Sequence, residues 1–118
     1  MPTFSTWPPH LDAVIAAPEH HRVLLENDSV RMLDTRIDPG ETVMLHTHQW
    51  SAAYYVLSWS DFVRRDEHGR VTLDSRQTGL QYGPGEAIWS APLDAHTLEN
   101  VGSSVLHLIS VEVKPVIK

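Results

Sequence analysis

Turn signals in this chain fall too close together for long helices. Asn27-Asp28-Ser29, Asp38-Pro39-Gly40-Glu41, Gln49-Trp50-Ser51, Asp66-Glu67-His68-Gly69, Gln81 to Gly85, Pro92-Leu93-Asp94 and Gly102-Ser103-Ser104 punctuate it, mostly at intervals of roughly eight to twelve residues. Proline presets φ and glycine is free to take φ > 0, so several of these are turns with a mechanism. The runs between them are short and rich in β-branched and aromatic residues: Arg22 to Glu26, Val30 to Ile37, Thr42 to His48, Ala52 to Leu57, Asp61 to Arg65, Arg70 to Asp74, Glu86 to Ser90, Ala95 to Asn100 and Val105 to Val113. Roughly eight to ten short strands without a long helix make an all-β protein, an antiparallel sandwich or barrel. Residues 1–21 differ. They are rich in proline and have no period, apart from one or two helical turns over Leu11 to Ala17 that Pro18 ends. We read them as an N-terminal arm crossing a sheet or reaching a neighbouring subunit, and 22–118 as one β-domain.

A chain of 118 residues suits one compact domain. It has no cysteine, so disulfides and thiolate metal sites are excluded, and any metal must be held by nitrogen or oxygen. Nine basic residues against fifteen acidic ones give a formal charge of -6. Lys and Arg are not clustered, which argues against nucleic-acid binding. No apolar run is long enough for a membrane span, and none reads as a signal peptide, so a cytoplasmic protein is expected.

Chemistry points to the histidines, of which there are eight. His46 and His48 stand two apart on a strand, so both imidazoles face one side, an arrangement suited to gripping a metal. His96 follows another turn. His20, His21 and His68 read as solvated. On the longest run, Val105, His107, Ile109, Val111 and Val113 share an apolar face, which is read as interior, and Glu112 alternates outward. Met44, Tyr54, Trp89 and His107 are the candidates to line an apolar small-molecule pocket.

Two of these segments together resemble the cupin superfamily. Its first motif is a glycine, then His-x-His, then a glutamate and a second glycine; Gly40, His46 and His48 fall in register. The second is a glycine, Pro-x-Gly, a histidine and an asparagine; Gly85, His96 and Asn100 match. The resemblance covers roughly Arg22 to Lys114 and implies an antiparallel jelly-roll, or double-stranded β-helix, barrel. It further implies that His46, His48 and His96 ligate a divalent metal inside the barrel. The chain departs from the pattern at the glutamate, where Ala52 or Ala53 stands. Trp59 replaces the closing glycine of the first motif, and Ala91 and Leu93 replace the proline and glycine of the second.

Two functional readings follow. In one, Zn, Fe, Ni, Mn or Cu on the three histidines acts on a small organic substrate. In the other, the metal is absent, the site is vestigial, and the protein binds a small ligand or serves as a dimerisation module. Neither names a reaction, and enzymatic activity is left open. A homodimer is expected, because open antiparallel sheets have edges that need cover.

Overall fold

The computed structural model describes residues 7–116. Nine strands carry it: β1 (His21–Glu26), β2 (Val30–Ile37), β3 (Thr42–His48), β4 (Ala52–Ser58), β5 (Phe62–Asp66), β6 (Val71–Asp74), β7 (Ala87–Ser90), β8 (Leu93–Asn100) and β9 (Leu106–Val113). They form two antiparallel sheets, ordered β1-β2-β9-β4-β7 and β3-β8-β5-β6, the architecture expected from the spacing of the turns. Two short elements are not expected from the sequence, a 3-10 turn at Pro9–Leu11 before α1 (Ala13–Ala16), and a helical turn α2 (Ser75–Thr78). The latter is capped by the Asp74 carboxylate accepting from the Arg76 amide and closed by Gly79 in the left-handed region.

Two turns show the chemistry their sequences call for, whereas Pro92-Leu93-Asp94, expected as a turn, leads straight into β8, which begins at Leu93. At Asp38-Pro39-Gly40-Glu41, the Glu41 amide donates to Asp38 O at 3.0 Å and Gly40 has φ 83°. At Gly83-Pro84-Gly85-Glu86 the same pattern recurs, with Gly85 at φ 87°. In both, proline sets the first central residue and glycine takes a positive φ that a side chain resists. Asn100, 1% exposed, ties the ends of several segments. Its amide donates to Ile37 O and Ser104 O, and its Oδ1 accepts from Ser60 Oγ and the Gly102 amide.

Between the sheets, Ala17, Ile37, Val43, Phe62 and Leu106 form the apolar core, with Trp59, Leu73, Leu80, Leu98 and Leu108 packed around it. The interior changes character along the β2–β9 pair. At one end Ile37 faces Leu106; at the other Arg31 faces Glu112, and all four are buried. This overturns the facing inferred for β9. The inward residues are Leu106, Ser110 and Glu112, at 1–2% exposed, while Val113 is 45% exposed. Hydrophobic alternation misleads here because the inner face carries a polar network and the outer face carries the valines.

The described part of the arm lies on its own barrel. Asp12 bridges to Thr47 beside β3, and Ala13 and Ala17 are fully buried. β1 starts at His21, one residue before the boundary drawn from sequence. No helix among the described residues is long and apolar enough to cross a membrane.

Candidate metal centre

Four imidazoles meet inside the barrel. His46 and His96 are directly opposite each other on β3 and β8, with ring centroids 4.3 Å apart. His46 and His48 stand at 4.8 Å and His48 and His96 at 5.6 Å. The fourth is His21, at the start of β1, 5.0 Å from His46 and 5.4 Å from His48. All four are buried, between 2% and 8% exposed. Nitrogens of His21, His46 and His48 lie within 4.8 Å of one another, a group that could hold a metal ion.

Hydrogen bonding fixes the tautomers of three of these rings. Nδ1 of His46 lies 2.6 Å from Met44 O, Nδ1 of His96 lies 2.6 Å from Asp94 O, and Nδ1 of His21 lies 3.0 Å from Ala17 O. A carbonyl oxygen only accepts, so each Nδ1 carries the proton and each Nε2 presents a lone pair. Backbone carbonyls behind metal-binding imidazoles do the same work of orientation. The Nε2 atoms of His46 and His48 are 3.2 Å apart. Two nitrogens at about 2.0–2.1 Å from one tetrahedral ion stand about 3.3 Å apart, so the pair fits such an ion.

Behind His48 lies a charged chain. Its Nδ1 has no hydrogen-bond partner among the described residues, and Oε2 of Glu112 is 3.5 Å away. Glu112, 1% exposed, accepts from Arg31 Nε at 2.6 Å. Arg31 in turn donates through both terminal nitrogens to Asp12 of the arm, at 2.8 and 2.9 Å. Trp50 covers the guanidinium, its ring centroid 4.9 Å from Arg31 Cζ. Two carboxylates around one arginine satisfy its planar fork and balance a buried charge.

Glu112 brings a carboxylate near the place of the missing motif glutamate, behind His48 at 3.5 Å rather than among the metal-facing nitrogens. Ala52, one of the two residues that stand at the glutamate position, is directly opposite Glu112 on β9. The acidic group therefore enters the same region from the neighbouring strand, behind an imidazole. Alternation along β9 by itself points this side chain to solvent, and the structure buries it.

Burial governs the ionisation of the cluster. Desolvation, followed by repulsion from neighbouring rings or Arg31, lowers His46 and His48 from 6.5 to about 3. Burial likewise lowers His96 to about 3, with the Asp94 carbonyl opposing, and His21 to about 4, with His46 adding to the shift. All four are neutral at pH 7 and available as ligands. Burial also raises Glu112, against the pull of Arg31.

A cavity of about 210 Å³ opens beside the histidines. Tyr54 and Trp89 line it, Trp89 from a 63% exposed position. Met44 and His107, also expected there, do not. β3 is irregular between Val43 and His46, so both of these point inward and Met44 is turned out, 63% exposed. His107 sits on the outer face of β9, where its Nε2 lies 2.6 Å from Asp34 Oδ1. His21 and Arg64, both on the cavity wall, carry no sequence signal of that role. His21 had no period to distinguish it from His20, and Arg64 was hidden in an Arg-Arg pair.

No family model matches the sequence, and no curated protein matches it. Solved structures do match in fold. A cupin domain from Bordetella pertussis Tohama I superposes with a TM-score of 0.64 at 17% identity, covering 80% of this chain and 92% of that one. A conserved protein with a double-stranded β-helix domain from Klebsiella pneumoniae gives 0.54 at 22% identity, covering 80% and 75%. An RmlC-like cupin family protein from Methanocaldococcus jannaschii gives 0.54 at 14% identity, covering 79% of each chain. The chain thus has the cupin fold, a double-stranded β-helix, with a buried histidine cluster able to hold a metal ion.

Proposed function

We propose that this protein holds one divalent metal ion in its barrel and binds a small organic molecule beside it. His46 and His48 form the centre of the site through their Nε2 atoms, with His21 and His96 completing it. The observation that carries this reading is the 3.2 Å approach of two Nε2 atoms, flanked by imidazoles whose Nδ1–H groups are turned to carbonyls. An all-imidazole donor set suits Zn, Fe, Ni or Cu better than a hard oxygen-seeking ion. Such an ion supplies Lewis acidity or redox chemistry at its open position. The chain's own residues orient the rings, exclude water and shape the apolar cavity.

A binding role without turnover is the second reading. It is favoured by the lining of the cavity, which includes no Asp or Glu to serve as a carboxylate base. Metal content separates a metal-binding site from a vestigial one. Protein prepared without chelator or nickel resin should carry close to one metal per chain, and a His46→Ala/His48→Ala variant almost none. Equal, sub-stoichiometric metal in both would reject the metal reading.

We further infer a homodimer formed through β1. This edge strand of the five-stranded sheet exposes Val23, Leu24 and Leu25, each above 40%, and its backbone is open to pairing. Light scattering at micromolar concentration checks the mass, and a monomer would reject the inference.

A further inference from the structure

We propose that the molecule bound in the cavity is a small carboxylate and that Arg64 is the residue that grips it. The inference rests on the proposed use of this cavity for a small ligand and adds the ligand's charge and its anchor.

Arg64 lies on β5 opposite Leu98 of β8, in the sheet that also carries His46 and His96. It lines the cavity together with those histidines, and Phe62 lies under its guanidinium at 5.9 Å. Its Nε is buried with no hydrogen-bond partner among the described residues.

Arg31, the more deeply buried arginine, shows how this chain compensates such a charge. Arg31 is clasped by Asp12 and Glu112. The adjacent Arg65 reaches Glu99 at 2.9 Å. Among the described residues Arg64 has no comparable partner, and no acidic side chain lines its cavity. Burial lowers its pKa, as desolvation of a cation should.

The charge balance then decides the class of ligand. The cavity wall contributes one guanidinium, four neutral imidazoles and no carboxylate. A divalent ion on the histidines would make the space more positive still. A cation would be repelled, and a neutral molecule would leave Arg64 uncompensated. A carboxylate matches the planar fork of a guanidinium with two parallel hydrogen bonds and neutralises its charge. The volume of about 210 Å³ lies below that of most drug-sized sites. Trp59, Phe62 and Tyr82 supply aromatic wall, so a short aliphatic or single-ring carboxylate suits the space.

The test uses benzoate and propionate, each against its uncharged amide, by calorimetric titration into zinc-free and zinc-loaded protein. The wild-type chain should prefer each acid to its amide by about tenfold or more, and Arg64→Met should abolish that preference. Arg64→Lys, which keeps the charge but not the fork, should retain part of it. Zinc titration of Arg64→Met shows whether the variant keeps its cluster, and the acid-amide comparison in the unaltered chain is independent of any folding defect. Loss of zinc binding with the Arg64-dependent preference intact would reject the metal reading and leave this inference standing. Zinc binding without preference for the acid, or with the preference unchanged in Arg64→Met, would overturn it.

Discussion

Acid should unfold this protein unusually steeply, because four buried histidines must stay neutral. In the folded chain they titrate at about 3 to 4; in the unfolded chain they return to about 6.5. Above pH 6.5 neither state binds the protons, and the histidines cost nothing. As pH falls below 6.5 the unfolded state takes up protons that the folded state refuses, so stability is lost until the folded pKa values are reached. Each histidine contributes a slope of about 1.4 kcal/mol per pH unit, and four together about 5. By pH 4.5 the summed loss is on the order of 10 kcal/mol, comparable to the whole stability of a typical domain. Glu112 works in the opposite direction, since its raised pKa favours the folded state once it protonates. One carboxyl offsets only part of four imidazoles. The assay is urea denaturation of metal-free protein from pH 7.5 to 4.5, followed by tryptophan fluorescence. A His21→Phe/His96→Phe variant should show about half the slope. A midpoint unchanged between pH 7 and 5, or a slope indifferent to the double substitution, would refute the burial argument.

Three further outcomes are expected. Glu112→Gln should weaken zinc binding by about 10- to 100-fold through His48 and destabilise the fold by about 3 kcal/mol, because Arg31 loses a buried partner; competition titration and denaturation read the two effects. Asp12→Asn should cost about 2 kcal/mol and speed amide exchange in α1, the arm having lost its tie to Arg31. Leu106→Ala, at a core position 1% exposed, should cost about 2–5 kcal/mol in a denaturant titration while leaving zinc stoichiometry unchanged.

The strands and most turns were legible because they rest on local chemistry: Pro-Gly turns, the Asn27-Asp28-Ser29 cluster and short β-rich runs. The pairing of His46 with His48 was legible from their spacing; His96 lies against His46, but the group whose nitrogens come within 4.8 Å of one another takes in His21 and not His96. What stayed hidden depends on partners distant in sequence. Glu112 and Arg31 are 81 residues apart, and nothing near either announces the other. Alternation along β9 pointed the wrong way because it assumes an apolar interior, whereas that end of the barrel is lined by charged side chains and imidazoles. Met44 was misplaced by an irregularity in β3 that leaves no Gly or Pro in the sequence to mark it. His21 enters the cluster only because β1 pairs with β2 and brings the end of the arm over β3.

The most direct measurement is an anomalous difference map at the zinc edge from crystals of zinc-loaded protein. One strong interior peak is expected about 2.0–2.1 Å from Nε2 of both His46 and His48, with Glu112 behind His48. Zinc found only on solvent-facing histidines such as His10 or His68, with the interior rings unligated, would contradict the account.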